Sequence, residues 1–136
     1  MANYQAGYGH GDVVGIPFDF YGGATLVTGS TITMQTGMLV LAPTATLATL
    51  TVNLPLNPVD GAIAEISVAG ATFNVTTLTV AANTGDSLLG AAANTLTALA
   101  AGAGAATSTV KYKYTLNGFQ PASGAAVNPR TWIRVQ

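Results

Sequence analysis

Between Leu50 and Asp86 the chain alternates apolar with short polar side chains and then breaks at turn residues, a pattern that suits a half-buried β-strand and not an amphipathic helix. Leu50, Val52 and Leu54 alternate with Thr51 and Asn53, so an extended strand sends three aliphatics to one face and two small polar groups to the other. Pro55 and Pro58 lack a backbone donor, and Asp60-Gly61 supplies a turn in which Gly61 can take a positive φ. Beyond it Ile66 and Val68 share one parity, and Phe73 and Val75 share another after Gly70-Ala71. Leu78 and Val80 then lead into the turn cluster Asn83-Thr84-Gly85-Asp86. The stretch reads as a β-meander broken by turns.

The flanking segments extend the same reading. Tyr4, Tyr8, Phe18, Phe20 and Tyr21 stand among Gly7, Gly9, Gly11, Gly15, Gly22 and Gly23, which excludes a regular helix over residues 1–23. That segment is expected to be an extended arm or loop whose aromatics dock on a neighbouring surface; for residues 1–10 a frayed terminus is the alternative. Ala24 to Thr28 and Thr31 to Gln35 flank Gly29-Ser30 as a hairpin-like unit. Thr36-Gly37 separates the second of these from Met38 to Leu41, and Ala45 to Leu54 opens the meander after Pro43. Threonines at alternate positions predict a hydroxyl-rich, partly exposed sheet face. Over residues 86–106 a short Ala-rich helix near 91–101 competes with irregular structure containing a short strand; Gly90, Asn94, Thr95 and Thr97 favour the latter.

Near the end, Val110, Tyr112, Tyr114 and Leu116 alternate with Lys111, Lys113 and Thr115, giving one apolar and one cationic face. Asn117-Gly118 marks a turn, residues 118–129 read as a loop, and a last strand sets Trp132 on the same parity as Arg130 and Arg134. Trp132 then lies under the two guanidinium groups as a cation–π shelf, is buried at an interface, or belongs to the ordinary core. Eight or nine short strands predict an all-β fold. It would be a single-domain antiparallel β-sandwich, jelly-roll-like or a small barrel, with residues 1–23 as the arm and 24–136 as the sandwich domain.

Charge decides which partners such a domain can have. Of 136 residues only four are Lys or Arg and five are Asp or Glu, and this 7% charged fraction compares with about 25% in ordinary globular domains. A lone soluble domain keeps charge on its surface, so much of this surface is expected to be covered by other protein. Four cations are too few to neutralise a run of phosphates or an anionic membrane, so neither nucleic acid nor membrane is an expected partner. The N-terminus has no basic region followed by an apolar run, so no secretory signal is expected. Without cysteine there is no disulfide framework or zinc–thiolate site.

Catalytic constellations are equally sparse. His10 and Asp12 form an H-x-D pair, too few ligands for a metal, and no G-x-S-x-G elbow accompanies the lone histidine. Asp60 reads as a turn former and Glu65 as a single satisfied or edge-facing acid rather than the paired carboxylates of a glycosidase. The glycines of residues 7–15 are followed by no Lys-Ser/Thr, and Asn83 to Asp86 offers too few oxygens for calcium. The expectation is a non-enzymatic protein with no catalytic residues, no cofactor and no metal.

Leu54-Pro55, Pro58, Asp60-Gly61, Leu78-Thr79-Val80-Ala81-Ala82-Asn83 with Gly85-Asp86, Lys111-Tyr112-Lys113-Tyr114, and Trp132 with Arg134 form an ordered set over residues 50–136. That set resembles the small β modules of tailed-bacteriophage virion proteins, the head decoration or cement proteins and related fibre-tip modules. The resemblance implies a β-sandwich or jelly-roll that assembles as a dimer or trimer and binds either the capsid lattice or a host glycan. The expected function is therefore a structural virion protein. It would decorate and stabilise the phage head, contact the major capsid protein, assemble in the host cytoplasm and reside on the capsid surface. The alternative is a tail-fibre or spike module that recognises a bacterial surface glycan through Tyr112, Tyr114, Trp132, Arg130 and Arg134. The interface residues expected on the first reading are Tyr4, Tyr8, Phe18, Phe20, Tyr21, Trp132, Arg130 and Arg134.

Overall fold

Strands with one apolar edge must find a second layer on which to bury it, and this chain finds that layer by changing sheets at almost every step. A computed structural model describes residues 8–13, 16–23, 26–68, 75–88, 93–99, 109–116 and 130–136. The described residues form β1 (Tyr8–Val13), β2 (Ile16–Gly22), β3 (Ser30–Thr33), β4 (Met38–Ala42), β5 (Leu47–Asn53) and β6 (Ile63–Val68). They continue with β7 (Val75–Ala81), β8 (Ser87–Leu88), β9 (Ala93–Leu99), β10 (Thr109–Thr115) and β11 (Thr131–Arg134). The chain is predominantly β, and no α-helix occurs among the described residues. One sheet runs β1-β2-β4-β6-β10-β11-β8 and the other β3-β5-β7-β9.

From β2 to β10 successive strands therefore alternate between the two sheets. Parallel neighbours need a long crossover, and here the crossover is itself a strand of the opposite layer. β4 carries the chain from β3 to its parallel partner β5, and β5 carries it from β4 to its parallel partner β6. β2 with β4, β5 with β7, and β8 with β11 are also parallel, whereas β1 with β2, β6 with β10, β7 with β9 and β10 with β11 are antiparallel.

The all-antiparallel expectation, and with it a meander from Leu50 to Asp86, is corrected by these pairings. β5 bonds β7, and the strand between them lies in the other sheet. Alternation reveals which face of a strand is buried but not which strand lies beside it. The long, proline-bearing link from Leu54 to Ala62 leaves room to change layers where a two-residue turn would enforce a hairpin. The hairpin expected around Gly29-Ser30 is a turn only, closed by Ser30 N donating to Val27 O at 3.1 Å, and β3 pairs with β5 instead. Over residues 8–13 and 16–22 the expected arm takes the form of two strands: β1 and β2 pair with each other, and β2 continues the larger sheet through β4. Seven residues of the Ala-rich segment form β9, so β pairing with β7 overrides the helix propensity of alanine there.

The two sheets share one core. Ile32, Leu50, Val52, Val75, Leu78 and Val80 come from the smaller sheet, while Leu39, Leu41, Ala64, Ile66, Val110, Tyr112, Tyr114 and Trp132 come from the larger. The inward parity of Leu50, Val52 and Leu54, and of Ile66 with Val68, matches the sequence reading. Gly61 takes φ 83° in the expected turn and Gly85 takes φ 91° in the next. At Gly37 the constraint is space: a Cβ there would lie 2.5 Å from the Ile63 carbonyl oxygen, against which the chain passes as it enters β4.

An acidic residue of the larger sheet lies inside. Asp19 on β2 is fully buried, and its Oδ2 accepts backbone N–H bonds from Gln35 at 2.6 Å and Thr36 at 2.9 Å. Those amides belong to the link between β3 and β4, so the carboxylate ties down a segment that crosses from one layer to the other.

Candidate functional site

The densest polar constellation among the described residues forms where β8, β10 and β11 meet. The turn Asn83 to Asp86 is closed by Asp86 N donating to Asn83 O at 3.0 Å, and the Asn83 side-chain amide donates to Leu54 O. The turn delivers Asp86 to the ends of β10 and β11. Tyr114 Oη donates to Asp86 Oδ1 at 3.0 Å, and Arg130 Nε reaches the same oxygen at 3.0 Å and the Tyr114 hydroxyl at 3.3 Å. The Asp86 side chain is 1% exposed and that of Arg130 is 46% exposed, so the pair runs from the interior to the rim. Beneath it Ser87 Oγ bonds Thr131 Oγ1 at 3.0 Å, and Ser87 N donates to Arg130 O at 2.9 Å.

Burial raises the Tyr114 phenol, with Arg130 opposing and Asp86 adding to the shift, and the Tyr114 contact raises Arg130 in turn. A tyrosine moved away from neutrality is a poor proton-transfer group at pH 7, because general acid–base work favours a pKa near the operating pH. The arrangement latches the edge of the larger sheet.

Trp132 and both β10 tyrosines are fully buried. The Tyr114 and Trp132 rings are 5.1 Å apart between centroids and tilted by 55°. Trp132 thus belongs to the core of the chain, and the cation–π shelf under Arg130 and Arg134 is not formed. Of the three places open to Trp132, the ordinary core is the one the structure shows: on β11 the inward face carries Trp132, while Arg130 and Arg134 at the strand's ends are exposed. The same burial removes Tyr112, Tyr114 and Trp132 from any surface platform for a sugar ring.

Among the other expected interface residues, Phe18 is buried, Phe20 and Tyr21 are half-buried, and Tyr21 packs against the core. Tyr8 pairs with Tyr21 in the β1–β2 register, and Tyr4 lies outside the described residues. Arg130 and Arg134 are exposed; Arg134 Nε donates to Gln136 O at 3.1 Å. Of the six whose side chains are described, Phe18 and Trp132 are buried, Phe20 and Tyr21 half-buried, and Arg130 and Arg134 exposed. Lys111 and Lys113 do face outward from β10 as the alternation predicted, and Lys111 Nζ meets Glu65 Oε2 at 3.2 Å across the β6–β10 pair.

Sequence reasoning passed over Asp19, although its setting between Phe18 and Phe20 was a usable signal: an acid inside an apolar strand needs strong donors. It also missed the distribution of charge. Asp12, Asp19, Glu65, Lys111, Lys113 and Arg134 lie on strands of the larger sheet, Asp60 and Asp86 in turns leading to its strands, and Arg130 beside β11. The strands of the smaller sheet contain no ionisable residue.

Among the described residues two buried polar atoms, Tyr112 Oη and Trp132 Nε1, have no hydrogen-bond partner. Burial also raises the Tyr112 phenol, with Arg134 opposing. The folded state therefore keeps a proton that the unfolded chain releases near pH 10, so the associated stability is intact below about pH 10 and is lost as pH rises beyond it. Tyr112→Phe is expected to leave stability at pH 7 unchanged or slightly raised, since it deletes an unsatisfied hydroxyl, and to lessen the alkaline loss. Urea midpoints at neutral and alkaline pH test this; a variant as alkali-sensitive as the parent would refute it.

No protein-family model, curated protein or solved structure matches this chain.

Proposed function

We propose that this chain is a non-enzymatic structural protein of a tailed-phage virion, a decoration protein that binds the head lattice, stabilises it and works as a homo-oligomer. The reading takes the two layers as a sandwich with mixed strand directions; a jelly-roll, built from antiparallel Greek keys, would not have its parallel pairs. The observation that carries the reading is the scarcity of ionised side chains, 7% of the residues, on a body whose smaller sheet has none in its strands. Interfaces are depleted of charge at their centres, whereas the surface of a solitary soluble domain relies on it. The ordered resemblance over residues 50–136 adds the kind of particle.

The test compares virus heads assembled with and without the chain. Purified protein is expected to co-sediment with filled heads, and heads made without it to release their contents at a lower temperature. Protein that stays at the top of the gradient, with heads of unchanged heat resistance, would sink the proposal.

A further inference from the structure

Each strand of the smaller sheet contains threonine two residues from threonine: Thr31 and Thr33 on β3, Thr49 and Thr51 on β5, Thr77 and Thr79 on β7, Thr95 and Thr97 on β9. Their registers bring these into rows. Thr31 stands beside Thr51, Thr51 beside Thr79 and Thr79 beside Thr95, while Thr49 stands beside Thr77 and Thr77 beside Thr97. The apolar residues between them, Ile32, Leu50 and Leu78, point into the core, so Thr31, Thr51 and Thr79 face away from it. No described residue hydrogen-bonds the hydroxyls of Thr31, Thr51, Thr77 or Thr79.

We infer that this threonine-paved outer face of β3, β5 and β7 is a self-association surface whose occupant is the same face of a second copy of the chain. The inference deepens the homo-oligomer part of the function proposed above and rests on it. The chemistry of the face selects its partner. A charged partner would bring ions into an interface that offers none of opposite sign, and a purely apolar one would leave the hydroxyls without bonds. A second threonine face meets neither difficulty: a hydroxyl both donates and accepts, and an uncharged face does not repel its copy, so the surface complements itself across a two-fold axis. Its size sets the strength. Three strands about 4.8 Å apart, each about six residues long, make a face of roughly 300 Å². That is well under half of the roughly 800 Å² per partner in a standard stable interface. The pair should form and separate with concentration, and tighten where a lattice holds copies close together.

Sedimentation velocity over a concentration series reads this directly. The parent chain is expected to shift from single to double mass with rising concentration. Thr51→Lys with Thr79→Lys, which sets like charges on both sides, should weaken the association at least tenfold. Lys113→Glu, on the outward side of the larger sheet, should not change it. If the double variant fails to fold by circular dichroism, Thr31→Lys, on the exposed edge strand, carries the same test. A parent chain that stays single throughout, or a pair that survives the lysines, overturns the inference. So does a single chain that loses binding to virus heads when the lysines are introduced, which would assign the face to the shell. Doubling with no binding to heads sinks the virion reading and leaves the self-association standing.

Discussion

Replacing Trp132 with Ala is expected to lower the free energy of unfolding by about 3–5 kcal/mol, the range for removing a large buried aromatic. Domains of this size have about 5–15 kcal/mol in total, so the variant should be close to unfolded at 37 °C. The loss is large because Trp132 is the largest fully buried side chain, packs against Tyr114 and stands opposite it on β11, while Leu88 of β8 is its partner on the other side. Its removal opens the core at the edge that Asp86 and Arg130 latch. Trp132→Phe should cost less, because phenylalanine refills part of the volume and removes an indole N–H that has no partner. Urea denaturation of both variants checks the ranking, and equal losses would mean that the packing of this edge contributes little.

Asp19→Ala is expected to cost about 3 kcal/mol, since a hydrogen bond to a charged group contributes about 1.5–3 kcal/mol and the carboxylate accepts two from backbone donors. The effect should be local before it is global. Amide exchange at Gln35 and Thr36 should accelerate more than exchange at Ile66 or Val80, because only the first two donate to the missing oxygen. A melting temperature that does not move, with protected amides at both positions, would show that another group satisfies the link between β3 and β4.

The sequence carried the strands well and their partners poorly. Inward parity at Leu50, Val52, Ile66, Leu78, Val80, Val110, Tyr112 and Tyr114 follows from period-two alternation, and Gly61 and Gly85 occupy the expected turns. Which strand lies beside which depends on contacts far apart in the chain, and no local signal separates a meander from a path that changes layers. The same limit explains the site. Asp86 looked like a turn residue and Arg130 like half of a shelf for Trp132. Their meeting at 3.0 Å depends on β8 lying parallel to β11, a pairing that two residues, Ser87 and Leu88, are too short to announce. Glycines and aromatics near the N-terminus were correctly read as non-helical over the described residues, but glycine is also tolerated at a sheet edge, where β1 lies.

The alternation of layers has a kinetic consequence. Between Ser30 and Ala81 no described strand bonds the next one in the chain, so these strands offer no hairpin from which to nucleate. Assembly there resembles winding thread on a flat bobbin, each pass holding only once the pass two before it is in place. Folds dominated by such distant pairings form in milliseconds to seconds, and their unpaired passes remain open to strands from other molecules while they wait. A chain made in many copies at once would thus be most at risk of mispairing with its sisters before the bobbin is full.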